Sequence, residues 1–397
     1  MSWQERRIGD LCTVGRGSSP RPINDQRFFE NGDIPWIKVA DATASGKYLL
    51  ETKLCVNRHG ASFSRLLPPG SLIICTSGTL GLPIILGVEG CIHDGWLYTY
   101  DYEGLDPEFF YYFLQTQRNY FASVAYGAAI QNINTEILRN TAIRLPMLDV
   151  QSRIASVLKS YDDLIENNRR RMALLEESAR LLYGEWFVRL RFPGYEHSRI
   201  VDGMPDGWER KALSELTSFL KRGITPNYDD EAEGLVVNQK CIREGRVNLE
   251  LARRQSKEVK PERLLRIGDV LVNSTGEGTL GRVAQVKILL AACTVDTHVT
   301  IVRPGDGVPR HYFGLAVMEW EPRFSTMGKG ATNQTELSPK TIGDAVITVP
   351  SQTLLEQFEL FAEPVYEQVT NLVAQNQKLR TARDLLLPRL MNGEIAI

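Results

Sequence analysis

A chain of 397 residues with 43% hydrophobic and 24% charged side chains has an ordinary globular make-up and the length of more than one domain, which argues against a disordered, collagen-like or membrane class. No apolar run approaches the ~18 residues of a membrane span, and the charged start MSWQERRIGD lacks the apolar stretch of an export signal, so a cytoplasmic protein is expected. With 46 Lys and Arg against 48 Asp and Glu the net charge is −2, so any polyanion site must be local or shared with a partner.

In chain order, the first block opens with Trp3-Gln-Glu-Arg-Arg-Ile-Gly-Asp-Leu11 and GRGSSP (15–20). Strands are expected in SLIICTS (71–77) and LPIILGV (82–88), and a helix in the aromatic PEFFYYFLQTQ (107–117). GAAIQNIN (127–134) and the strand-like AIRLP (142–146) close the block, and a long helical segment follows. The same series then repeats. Trp208-Glu-Arg-Lys-Ala-Leu-Ser-Glu-Leu216, KRGITP (221–226), RIGDVLVNSTGEGTLG (266–281, against PPGSLIICTSGTLG at 68–81), HVTIVRP (298–304), GATNQTEL (330–337) and AVITVP (345–350) precede a second long helix. The chain is a duplication. Expected domain limits are 1–146, 147–199 for a central helix and linker, 200–350, and 351–397 for a C-terminal helix.

The two helical segments carry a heptad seam. In the first it runs through Ile154, Leu158, Tyr161, Ile165, Asn168, Met172, Leu175, Ala179, Leu182 and Trp186. In the second it runs through Phe358, Ala362, Val365, Val369, Leu372, Asn376, Leu379, Arg383 and Leu386. A helix of roughly forty residues, about 60 Å long at ~1.5 Å per residue, cannot bury such a stripe alone. Each copy is the obvious partner of the other, antiparallel because the intervening block returns the chain. Asn168 and Asn376 either fix register inside the seam or lie at its edge. The expected fold is therefore α+β: two similar mixed α/β domains separated by two long antiparallel coiled-coil helices, with pseudo-twofold character. Such an object suits a duplex with two half-sites about one ~34 Å turn apart.

The segment LPMLDVQSRIASVLKSYDDLIENNRRRMALLEESARLLYGEWFV (145–188) resembles the central conserved region of specificity subunits of type I restriction-modification systems. LRTARDLLLPRLMNGEIAI (379–397) is similar to that family's C-terminal region; MPDGWERKALSEL (204–216), GRGSSPRP (15–22) and DIPWIKVAD (33–41) are similar to the framework of its target-recognition domains. The resemblance implies a non-catalytic subunit that reads an asymmetric bipartite double-stranded DNA target, one domain per half. It also implies docking of two adenine-methylating subunits and of restriction/translocase subunits. No cofactor is then expected in this chain: S-adenosylmethionine would belong to the methylating partner, ATP and Mg to the restriction partner.

Candidate DNA contacts are cations, amides and hydroxyls in paired loops. One pair is Arg16, Ser18, Ser19 and Arg21 against Lys221, Arg222, Thr225 and Asn227, where Gly17 and Gly223 would let backbone approach a phosphate. The other is Gln131, Asn132 and Asn134 against Asn333, Gln334 and Thr335, with amides suited to adenine N6 and N7 or, alternatively, to capping helices. Lys38, Asn238 and Lys240 complete the set, while Arg169, Arg170 and Arg171 read as a solvated or partner-facing helix face.

Six cysteines form no CxxC, five histidines show no metal-ligand spacing, and no metal is expected. GEGTLG (276–281) matches GxGxxG, yet RVAQVKILLAACTV (282–295) is too short for the helix and strand of a dinucleotide site, and a shared β-turn explains both copies better. A second function class stays open: a two-lobed coiled-coil scaffold that binds protein partners without reading DNA.

Overall fold

The computed structural model describes residues 3–125, 132–289, 291–329 and 335–397. Two compact units account for the chain, one formed by Met1–Arg169 with Ala374–Ile397 and the other by Arg170–Val373. The unit limits fall inside the two long helices, Leu148–Tyr183 and Gln352–Met391, so each unit takes a stretch of both. The fold is α+β, with two sheet-rich mixed domains and long helices.

In the first unit a five-stranded sheet runs in the order Thr13–Arg16, Trp96–Tyr100, Leu72–Cys75, Pro83–Leu86, Tyr48–Leu49. Its first four strands are antiparallel, and Tyr48–Leu49 joins parallel to Pro83–Leu86. Leu72–Cys75 and Pro83–Leu86 are buried at every position, as expected of strands covered on both faces. A second, four-stranded sheet holds the parallel pair Ile34–Ile37 and Gly90–Ile92. The aromatic segment is a helix, Pro107–Thr116, started by Asp106, whose side chain accepts the Phe109 N–H, with proline in its first turn. All six residues from Phe109 to Leu114 are buried in the core with Ile8, Val14, Leu97 and Ile154.

The second unit repeats this plan. Thr217–Arg222, Val299–Pro304, Val270–Asn273 and Val283–Gln285 form its main antiparallel sheet. Gly234–Val237 pairs parallel with Cys293–Val295, and Arg310–Met318 takes the place of the aromatic helix. Each domain is closed by a two-stranded antiparallel ribbon, Gln4–Arg7 with Ala142–Leu145 and Glu209–Ala212 with Val346–Val349. Glycine-rich GEGTLG is a hairpin turn between Val270–Asn273 and Val283–Gln285, with no helix in it.

Within each unit the helix stretches run antiparallel. In the first, Asp162 meets Arg383 and Asn168 meets Asn376, so positions that rise on one helix fall on the other. In the second, Tyr183 and Trp186 meet Phe358 edge to face. Ile154, Leu158, Ile165 and Asn168 are buried and Tyr161 half-buried; Phe358, Val369, Leu372 and Asn376 are buried, while Met172, Leu175, Leu182, Val365, Leu379 and Leu386 are half-buried. The pattern of heptads also hid two charges. Asp162, 5% exposed, binds Arg383 and accepts the Tyr112 hydroxyl at 2.6 Å. Glu176, 8% exposed, receives Lys287 at 2.7 Å and Arg246.

Candidate nucleic-acid interface

The loops after Thr13–Arg16 in the first domain and Thr217–Arg222 in the second are built on one template. The Gly17 N–H donates to the Trp96 carbonyl at 2.9 Å, and the Gly223 N–H to the Val299 carbonyl at 3.1 Å. A β-carbon at Gly17 would land on the His93 carbonyl, and one at Gly223 on the carbonyls of Val295 and Asp296. The glycines are therefore required by the chain's own backbone, which leaves the side chains beyond them to meet anything outside.

In the first domain those side chains converge on Asp94. The Arg21 Nη2 donates to Asp94 Oδ2 at 2.7 Å, the Ser19 hydroxyl to Oδ1 at 2.8 Å, and the Arg16 Nε to the Asp94 carbonyl at 2.8 Å. Burial alone would raise the Asp94 carboxyl, but the Ser19 hydrogen bond and the Arg21 charge bring it below its usual range. Beside it, burial pushes His93 down, and its Nδ1 accepts the Gly95 N–H at 2.9 Å. Ser18 is exposed, and its carbonyl accepts the Ser64 hydroxyl at 2.9 Å. Lys38 is exposed at the start of Val39–Ala44, its own N–H bonded to Asp41 at 3.1 Å.

The second domain uses other partners. Arg222 is half-buried, donating to the Leu337 carbonyl at 3.1 Å and pairing with Glu336 at 2.6 Å. Arg263, which sequence reasoning did not single out, ties down the carbonyls of Arg222 (2.8 Å) and Gly223 (3.1 Å). Lys257 does the same for the Thr225 carbonyl at 3.0 Å. Asn227 bonds Ser256 at 2.9 Å, and next to it Arg253 lies 3.5 Å from the ring centre of exposed Tyr228. Lys221 and Lys240 are exposed, with Lys221 over the Phe219 ring. Asn238 caps Gln239–Cys241 by accepting the Lys240 N–H at 2.9 Å.

The amide loops divide differently. Gln131, Asn333 and Gln334 lie outside the described residues. Asn132 is half-buried, and its Oδ1 has no hydrogen-bond partner. Asn134 caps Thr135–Asn140 through the Ile137 N–H at 2.8 Å, the structural role that the sequence left open for it. Asp94, Lys257 and Arg263 carry no motif; the Asp-Gly of HDG (93–95) was the one signal of a turn there.

Among the described residues the group best placed to hold a metal is His311, Glu359 and Glu363, whose ligand atoms lie within 4.8 Å of one another. Its geometry is accounted for without one. Glu359 accepts the backbone N–H of both His311 and Tyr312 at 3.0 Å, capping Arg310–Met318, and takes the His311 Nδ1 at 2.6 Å; Arg310 holds Glu363.

Residues 1–177 match the family model for the type I restriction modification DNA specificity domain. The chain is 24% identical over 416 residues to the type I restriction enzyme MjaIX specificity subunit of Methanocaldococcus jannaschii, an alignment covering 100% of this chain and 94% of that protein. It is 22% identical to the HindI specificity subunit of Haemophilus influenzae, covering 73% of this chain and 77% of that one. Among solved structures, the type I restriction-modification S subunit from M. genitalium aligns over 98% of this chain and 96% of its own, with a TM-score of 0.57 at 15% identity. That likeness is one of fold. No helix among the described residues is long and apolar enough to cross a membrane.

Proposed function

We propose that the chain is the non-catalytic, sequence-reading member of a type I restriction-modification complex, a reading supported by the match of residues 1–177 to the specificity-domain model and by the similarity of the whole chain to a specificity subunit. Each domain reads one half of an asymmetric bipartite duplex target. Two methylating subunits dock on the chain and bring S-adenosylmethionine; restriction and translocase subunits bring ATP and Mg.

One observation supports this reading above the others. The loops at Gly17 and Gly223 share a backbone template, yet carry Ser18, Ser19 and Arg21 in one domain and Ile224, Thr225 and Asn227 in the other. A common frame with different donors at its tip is what two unlike half-sites require. The near-neutral charge is consistent with it as well, since phosphate-driven affinity has to come mostly from the assembled complex.

The same charge is the point in favour of the protein-binding scaffold, and one experiment separates the two. The chain is assembled with its methylating subunits and footprinted on duplexes carrying the motif that is methylated in the host genome. Two protected tracts are expected, and exchanging residues 1–146 for a relative's domain should change one tract only. Stable complexes with no footprint would leave the scaffold reading standing; a change in both tracts would overturn modular readout.

A further inference from the structure

The first domain places an acid at the centre of its own cationic loop, and this acid has no part in the reading above. Asp94 is bound at once by Arg21 and Ser19 through its carboxylate and by Arg16 through its carbonyl. Arg21 gives it a single Nη2, with 67% of the Arg21 side chain and 46% of that of Asp94 exposed. An ion pair so open to water is worth little, so a phosphate can displace it. The Ser19 and Arg16 contacts leave the loop in place when it does. His93 does not offset the acid: its Nδ1 accepts the Gly95 N–H, so that nitrogen carries no proton. The charge of Asp94 is thus balanced by the cation that a DNA backbone would also claim.

Among the described residues, nothing equivalent stands in the second domain. The paired bonds Gly17 to Trp96 and Gly223 to Val299 align Asp94 with Thr297, and Arg222 draws its carboxylate from Glu336, on a different segment. Asp296, one residue earlier, is 4% exposed and accepts the His298 N–H at 2.9 Å.

We propose that Asp94 is a specificity-determining residue of the first domain: it holds Arg21 in the free protein, competes with phosphate for it, and so suppresses binding to duplexes that lack the target. Arg21 passes to the DNA backbone only when base contacts in that domain add to the attraction. This rests on the DNA-reading function proposed above.

The test uses the chain assembled with its methylating subunits, with affinity for target and scrambled duplexes measured over a salt series. D94N keeps an oxygen acceptor for Ser19 and removes the charge. Affinity for the scrambled duplex should rise about threefold to tenfold at low salt, with a salt slope steeper by about one phosphate contact, and the ratio of target to scrambled binding should fall. R21Q in the D94N background should abolish the gain. Scrambled-duplex binding that is unchanged or weaker in D94N, or a gain that survives R21Q, would overturn the proposal. Should D94N fail to assemble, R21Q alone decides: it should weaken target binding more than scrambled binding, and equal loss on both counts against the gate. A wild-type complex that protects no duplex would sink the DNA-reading function itself, a result distinct from intact footprints with an inert D94N.

Discussion

Asn168 and Asn376 face each other inside the apolar seam of the first unit, the Asn168 Nδ2 donating to Asn376 Oδ1 at 2.9 Å while the Asn376 Nδ2 donates to the Ile165 carbonyl at 3.2 Å. Both residues are buried. A slip of either helix would leave these amides without partners, so the pair selects register at a cost in stability relative to two leucines. N376A should destabilise the first unit by about 1–3 kcal/mol in urea unfolding, because it strands the Asn168 amide. The double variant N168L/N376L should recover that loss. A double variant no more stable than N376A would show that the pair does more than satisfy itself.

Tyr112 links the aromatic helix of the first domain to the central helix through Asp162, which Arg383 also holds. Y112F removes the hydrogen bond donated to charged Asp162 and the one accepted from the buried Lys47 Nζ at 3.1 Å, with almost no change in volume. It should cost about 1.5–3 kcal/mol, whereas an exposed hydroxyl such as that of Tyr120 should cost nothing measurable when removed in Y120F. Urea midpoints at unchanged slope would check both.

Glu176 plays the corresponding part in the second unit, under Lys287 and Arg246. Burial would raise its carboxyl, but the Lys287 and Arg246 charges outweigh burial and hold it below the usual glutamate range. A carboxyl depressed in the folded state adds stability that is complete above its unfolded value and is lost as pH falls through the folded value. The second unit should therefore lose stability below about pH 4.5 through this group, and E176Q should flatten that part of the profile. At neutral pH, E176Q should cost about 3 kcal/mol by leaving Lys287 buried against an uncharged partner. An unaltered acid limb in E176Q would assign the loss to other carboxylates.

Gly17 and Gly223 offer a paired test of the loop template. Any β-carbon meets a backbone carbonyl, so G17A and G223A must push the loop off its strand. Each should destabilise its own unit by about 1–3 kcal/mol and abolish protection of one DNA tract while sparing the other. Alanine at Gly78, where a β-carbon meets nothing within 4 Å, is strained only by its φ of +74° and should leave both tracts protected.

The duplication, the two long helices and their seam were legible in the sequence because they follow from periodicity: heptads, alternating strands and repeated Gly-Pro turns are local patterns. The loops around Gly17 and Gly223 were legible as places, through their glycines. Which side chains complete them was not. Asp94 reaches Arg21 from 73 residues away, and Arg263 reaches the Arg222 carbonyl across 41. Neither separation leaves a periodic trace. The buried charges Asp162 and Glu176 were hidden for the opposite reason, since a helix pattern marks polar residues as outward unless the partner cation is known. Sequence alone determined the repeated scaffold, whose signals are carried by neighbours in the chain. Only the tertiary structure decided which charges meet, because electrostatic pairing depends on distance through space and not along the backbone.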